Sequence, residues 1–273
     1  MKKKDVQPKK KKYSYKYQKE REERILNDKT DFDTIETFKA MRTNIMFSMP
    51  KTEGGKAIAI TSASPGEGKT TTSINLAITF AQLGAKVILL DCDLRKPRVH
   101  RYLKLDRKNG VTNVLCGFSD FDKAVHRDVK ENLDCLTSGE IPLNPAELLG
   151  TEEFVNLLAE LKEKYDYIFI DTPPITLVTD AALIMEHCTG TAVVVRQDVT
   201  RYDMLDATME VIQKIGVKVL GFVILGSAEN MKKYNYYRRR NYNYKYGYKN
   251  SFKYGYIASK SDYKYGDDVS EKK

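Results

Sequence analysis

The run Ala63-Ser64-Pro65-Gly66-Glu67-Gly68-Lys69-Thr70-Thr71 has the residue types and spacing needed to hold the phosphates of a nucleotide. Gly66 and Gly68 let consecutive backbone N–H groups close around phosphate oxygens, and a following helix N-terminus adds partial positive charge. Lys69 then reaches the outer phosphates and the Thr70 hydroxyl ligates Mg²⁺, as the pattern G-x-x-x-x-G-K-[ST] requires. Ser64 through Thr71 are the candidate nucleotide-binding residues. Ala63 stands where the pattern has its first glycine, which preserves the turn if that position needs no positive φ. Two acidic motifs accompany the loop: Asp91-Cys92-Asp93-Leu94-Arg95-Lys96-Pro97 and Asp171-Thr172-Pro173-Pro174.

Such chemistry needs strands that end at the loops. The apolar run Ala57–Ile60 precedes the phosphate loop, and a helical pattern from Ser73 to Leu83 follows it, closed by Gly84. Val87–Leu90 and Tyr167–Ile170 are short continuous apolar runs, suited to strands buried on both faces, and each delivers an acidic motif at its carboxyl end. Along an extended strand Asp91 and Asp93 point the same way. Further elements alternate: a strand at Leu133–Thr137, a helix at Thr151–Lys164, a strand at Ala192–Val195, a helix at Arg201–Ile215 and a strand at Val219–Leu225. Strands separated by helices predict an α/β fold: a mostly parallel, P-loop NTPase-like sheet with helices on both faces and ligands at the strand carboxyl ends. Residues 98–130 read as a helical and loop insertion, and 138–145 as a loop. A helix starting at Asp33 or Thr34, one of which caps it, runs to Met49. It turns Ile35, Phe38, Met41 and Ile45 inward, with Glu36, Lys39 and Arg42 on the outer side.

Charge divides the 273-residue chain into three. Residues 1–29 hold 12 Lys/Arg against 5 Asp/Glu, and residues 228–273 again 12 against 5, so each end carries +7 around a body at −5. Basic ends point to an anionic partner, whether membrane lipid, nucleic acid, phosphate or the acidic body of another copy, against the alternative of solvated tails. Composition gives a disordered basic Lys/Tyr segment at 1–29, a globular domain carrying the phosphate loop at 30–230 and a disordered tail at 231–273. Cys92, Cys116, Cys135 and Cys188 lack metal-ligand or Cys-x-x-Cys spacing and are expected to be buried thiols of a reducing compartment. His100, His126 and His187 form no ligand pattern. The chain has neither a run of about 20 apolar residues nor an apolar signal-peptide core, which leads to the expectation of a cytoplasmic protein.

Eleven of the 18 tyrosines crowd into the tail: Tyr234, Tyr236, Tyr237, Tyr242, Tyr244, Tyr246, Tyr248, Tyr254, Tyr256, Tyr263 and Tyr265. Interleaved with Lys, Arg, Asn and Gly, they suit base stacking on single-stranded nucleic acid, a solvated tail, or use as substrates by the chain's own nucleotide site. Lys12-Tyr13-Ser14-Tyr15-Lys16-Tyr17 repeats the same idiom at the other end, as a second phosphorylation cluster or a basic contact with anionic lipid.

The phosphate loop, the motif Val87 to Arg95, the Walker B-like Ile168 to Pro174 and the tyrosine-rich tail resemble, together, the bacterial tyrosine kinases that regulate capsular and extracellular polysaccharide synthesis. More specifically, the chain looks like the separate cytoplasmic kinase subunit of Gram-positive bacteria, and the resemblance covers about residues 30–265. It implies transfer of the ATP γ-phosphoryl group to tail tyrosines of a neighbouring copy. By that reading Lys69 neutralises charge on the moving phosphate, while Thr70, Asp91 and Asp171 hold Mg²⁺. Either Asp91 or Asp93 accepts the phenol proton, since a free tyrosine has a pKa of about 10. The resemblance assigns Glu36, Lys39 and Arg42 to an oligomerisation motif, in which Lys39 replaces an arginine, and puts Leu225 where an asparagine stands near the adenine. It further implies a transmembrane activator that recruits the kinase to the inner face of the membrane, a cognate tyrosine phosphatase, a ring-like homo-oligomer and no specific nucleic acid. The alternative of the same fold is a partitioning-type ATPase, whose additional lysine early in the loop is Ser64 here.

Overall fold

The computed structural model describes residues 24–226, which lie in the unit Met1–Ala228. The tyrosines at 13–17 and 234–265 lie outside the described residues. Seven strands form one sheet: β1 (Lys56–Ser62), β2 (Val87–Asp91), β3 (His126–Lys130), β4 (Leu133–Leu136), β5 (Tyr167–Asp171), β6 (Gly190–Arg196) and β7 (Val219–Leu225), in the order β3-β4-β2-β5-β1-β6-β7. Every neighbouring pair is parallel except β3–β4. The central strands β1, β2 and β5 are apolar and almost wholly buried because helices cover both faces.

One face is covered by α1 (Phe32–Ser48) and α2 (Lys69–Ala81), whose Phe38, Ile45, Ile74 and Phe80 share a core with Ile58, Leu89 and Phe169. On the other, α7 (Glu152–Lys164) puts Phe154, Leu158 and Leu161 against Ile88, Ile168 and Ile170. Between α2 and α7 come α3 (Val99–Leu103), α4 (Val111–Leu115), α5 (Phe121–Ala124) and α6 (Pro145–Leu149); α8 (Asp180–Met185) and α9 (Tyr202–Ile215) follow.

Several expectations are corrected. Residues 98–130 contain, besides three short helices, the edge strand β3, antiparallel to β4. Its sequence His-Arg-Asp-Val-Lys is largely exposed and lacks the apolar alternation that marks a half-buried strand. Asp31, rather than Asp33 or Thr34, caps α1: its carboxylate accepts the Thr34 N–H at 2.9 Å and the Thr34 hydroxyl at 2.7 Å. Arg42 does not face outward. It follows Ile35 by one heptad, which rotates it only about 20° from that inward residue, and its Nη1 donates to Thr79 O at 2.6 Å, satisfying a last-turn carbonyl of α2. Glu36 and Lys39 pair along the helix at 2.9 Å.

Within residues 24–29, assigned by composition to a disordered end, Ile25 and Leu26 pack on the body. Ile25 and Leu26 are 6% and 5% exposed and join the core around α2. The Asn75 amide fastens them, accepting the Leu26 N–H at 2.9 Å and donating to Arg24 O at 3.0 Å. An apolar dipeptide with both adjacent backbone groups satisfied offsets the ordering entropy that charged neighbours alone cannot. Among the cysteines, Cys92 and Cys135 are buried as expected, Cys188 is half-buried and Cys116, at the end of α4, is exposed.

Candidate active site

The phosphate loop leaves the carboxyl end of β1 and enters α2 through Gly66 and Gly68, at φ +81° and +102°. Gly68 is required twice over: a Cβ there would be strained by its φ and would lie 2.4 Å from Leu225 Cδ1. Ala63 is not among the positive-φ residues, so it fits where the pattern has glycine. Four contacts that the sequence did not disclose brace the loop. Glu67, fully buried, accepts the Ser64 N–H at 2.9 Å and the Thr200 hydroxyl at 2.6 Å. Arg196 Nη1 donates to Gly66 O at 3.2 Å, and the Thr176 hydroxyl to Ala63 O at 2.6 Å. A carboxylate inside a phosphate-binding loop was the one available signal, because it needs donors of its own.

Asp91 and Asp171 are register partners at the ends of adjacent parallel strands, which turns them to the same face of the sheet. Both are buried. Asp91 Oδ2 accepts the Val99 N–H at 3.1 Å, and Asp171 Oδ1 accepts the Ser73 hydroxyl at 3.2 Å. Asp91 Oδ1 and Asp171 Oδ2 have no hydrogen-bond partner. Burial and then the Asp171 charge push the Asp91 carboxyl well above the usual range. Burial lifts Asp171 to about 6, against the pull of Lys69, Thr70 and Ser73. Two crowded, buried carboxylates, each with one acceptor oxygen left over, beside a hydroxyl form an oxygen donor set of the kind a hard divalent cation takes. Mg²⁺ therefore fits Thr70, Asp91 and Asp171.

Asp93 takes a different position from Asp91. The strand stops at Asp91, and Asp93 opens a turn in which its Oδ1 accepts the Lys96 N–H at 3.0 Å. It is half-buried and lines a cavity of about 1170 Å³ together with the phosphate loop. Lys69, 7% exposed, lines the same cavity. Burial lowers its pKa, while the charges of Asp171, Asp93 and Glu67 oppose that shift. Arg95, unassigned from sequence, fixes the turn by a two-pronged ion pair to buried Asp180, Nε to Oδ2 at 2.8 Å and Nη2 to Oδ1 at 2.9 Å. Leu225 also lines the cavity. Glu36 and Lys39 of α1 are not among its lining residues, nor is Arg42.

Comparison with known proteins bears on the family and the fold. The AAA domain family matches residues 55–217. Tyrosine-protein kinase YwqD of Bacillus subtilis (strain 168) is 40% identical over 203 residues, spanning 74% of this chain and 85% of that protein. Tyrosine-protein kinase CpsD of Streptococcus agalactiae is 37% identical over 205 residues, spanning 75% and 88%. Among solved structures, the kinase domain of Escherichia coli tyrosine kinase ETK superposes with a TM-score of 0.68 at 30% identity, over 78% of this chain and 80% of that one.

Proposed function

The chain belongs to the bacterial tyrosine-protein kinases, and from that premise we propose how its cavity carries phosphoryl transfer from ATP to tyrosine and where the phosphate goes. The observation that carries the reading is the convergence of Lys69, Thr70, Asp91, Asp93 and Asp171 at the carboxyl ends of β1, β2 and β5. The N–H groups of residues 64–71 and the Lys69 ammonium hold the β- and γ-phosphates and meet the charge that spreads over the transferring group. Mg²⁺, when bound by Thr70, Asp91 and Asp171, neutralises phosphate oxygens. Asp93, which lines the cavity that Asp91 does not, accepts the phenol proton as the tyrosine oxygen attacks. The reading thus divides the two aspartates, Asp91 to the cation and Asp93 to the nucleophile.

The acceptors are the tail tyrosines between Tyr234 and Tyr265 of a neighbouring copy. Glu36 and Lys39, half-buried on α1, are the groups left to an interface between copies, with Arg42 positioned mainly by its own chain. A transmembrane activator, through its cytoplasmic end, brings the kinase to the inner face of the membrane in capsule or exopolysaccharide synthesis, and a cognate phosphatase resets it. Among the described residues no helix is long and apolar enough to cross a membrane, consistent with recruitment by a partner. Replacing Asp93 by Asn tests the division of roles: phosphotyrosine formation is expected to fall roughly 100-fold or more with the Mg²⁺ requirement unchanged. Asp91→Asn is expected instead to raise the Mg²⁺ concentration needed for half-maximal rate. The reverse pattern would exchange the two assignments.

A further inference from the structure

We propose that the turn after β2 carries a second anion site beside the phosphate loop, in which Lys96 and Arg98 hold a phosphotyrosine of the acceptor segment while the next tyrosine of that segment is modified. The inference rests on the kinase reading above and adds to it a substrate preference and an order: a segment already phosphorylated is a better acceptor than a bare one. Charge is the first observation. The body carries −5, yet its cavity is lined on the β2 side by Lys96, Arg98 and, farther along, Lys130. All three are exposed, and among the described residues no carboxylate forms an ion pair with their side chains. The acids of the lining do not balance them. Glu67 is turned into the phosphate loop toward the Ser64 N–H and Asp31 caps α1, which leaves Asp93. Position is the second observation. Asp93 Oδ1 accepts the Lys96 N–H at 3.0 Å, so Lys96 stands in the same turn as the proton acceptor. Arg98 is near enough to Lys69 for its charge to lower the Lys69 pKa. Both cations therefore flank the place where the tyrosine oxygen meets the γ-phosphate. Tyr102 and Leu103 of α3, half-buried in the same lining, offer an apolar surface to a phenol ring.

Spacing in the acceptor favours the same conclusion. Tyrosines recur two apart in Tyr242-Asn243-Tyr244-Lys245-Tyr246-Gly247-Tyr248. In an extended peptide, residues i and i+2 point to the same side and lie about 7 Å apart, so one phenol reaches Asp93 while its neighbour's phosphate meets Lys96 and Arg98. A bare segment of this kind is basic and is repelled by the cations of the cavity. Each phosphate adds about −1.5 to −2 and supplies acceptor oxygens for Lys and Arg. One phosphate leaves most of the tail's +7 in place, so attraction to the acidic body persists while the next tyrosine is delivered. The chemistry is that of the kinase reaction. The phenol oxygen forms a bond to the γ-phosphorus, the bond from that phosphorus to the β,γ-bridging oxygen breaks, ADP leaves, and the phenol proton passes to Asp93 and then to solvent.

The test uses the dephosphorylated full chain and synthetic peptides of residues 242–248, one bare, one phosphorylated on Tyr246 and one carrying Tyr246→Glu. Binding is read by fluorescence anisotropy with Mg²⁺-ADP filling the phosphate loop. Transfer to Tyr244 or Tyr248 is read by mass with Mg²⁺-ATP and the cytoplasmic peptide of the activator. The phosphopeptide is expected to bind roughly tenfold tighter than the bare one and to be modified at a roughly tenfold lower KM, with the Glu peptide between them. Arg98→Gln and Lys96→Gln are each expected to cut that preference by about threefold or more. Because the preference is a ratio of two peptides taken within each variant, a general loss of activity cancels. A ratio of one in the native chain would overturn the anion site and leave the kinase reading standing. A preference that both variants leave unchanged would overturn its placement after β2. Displacement of the phosphopeptide by inorganic phosphate at equal concentration would overturn the assignment to phosphotyrosine in favour of free phosphate. A binding preference without transfer to either peptide would overturn the kinase reading and the order drawn from it, and support the anion site alone.

Discussion

Asp91 and Asp171 stand side by side with one unpartnered oxygen each, and that crowding has consequences for both stability and pH. The Asp171 carboxyl is held at about 6, above its ordinary 3.8, so the fold favours the protonated form. Its contribution to stability is full below the ordinary value and is lost as pH rises through about 6. In the absence of nucleotide and Mg²⁺, Asp171→Asn is therefore expected to raise the melting temperature by a few °C at pH 7.5 and by little at pH 5, as thermal unfolding at the two pH values would show. Activity runs the opposite way. Phosphorylation by the native protein is expected to decline at acidic pH, at a midpoint below the metal-free value of Asp171 because a cation on the carboxylate opposes its protonation, and the midpoint is expected to move to lower pH as Mg²⁺ is raised. Lys69→Met removes the ammonium of the phosphate loop from the cavity and is expected to reduce the rate roughly 100- to 1,000-fold.

At the scale of elements, the phosphate loop depends on contacts from segments far away in sequence. Glu67 joins the Ser64 N–H to the Thr200 hydroxyl after β6, so Glu67→Ala leaves two groups without their partner. A charge-assisted bond of about 1.5–3 kcal/mol is lost, and the KM for ATP is expected to rise about tenfold in steady-state assays, with Thr200→Val changing it less. Residues 24–26 and α2 are likewise joined across about fifty positions. Asn75→Ala removes both of its hydrogen bonds and is expected to destabilise the fold by about 1–3 kcal/mol in denaturant titration. Which of these elements the sequence disclosed follows from how each is buried. β1, β2 and β5 were legible because parallel strands covered on both faces need continuous apolar runs, and the acidic motifs at their ends then fall together by topology. β3 was not, since an exposed edge strand needs no such run. The packing of Ile25 and Leu26 was hidden because two apolar residues among charges carry no period. The clamp on the phosphate loop and the Arg95–Asp180 pair were hidden because they join residues separated by 113 to 133 and by 85 positions, respectively.

The whole molecule is an acidic body, −5 over residues 30–227, between ends of +7 each. An unmodified tail is attracted to a neighbour's body, and each phosphate adds about −1.5 to −2, so four or five would cancel the tail's charge. Assembly is expected to loosen as phosphorylation proceeds. Sedimentation of unmodified and fully phosphorylated protein, with activator present, checks this; the same oligomer in both states would contradict it. The most direct measurement of the central claim is incubation of the purified chain with Mg²⁺-ATP, with and without the cytoplasmic peptide of its activator, followed by mass mapping of phosphotyrosine beside a Lys69→Met control. Phosphate on residues 234–265 that disappears in the control is the expected result. ATP turnover with no phosphate on the protein, even with activator, would contradict it and return the fold to the partitioning-type ATPases.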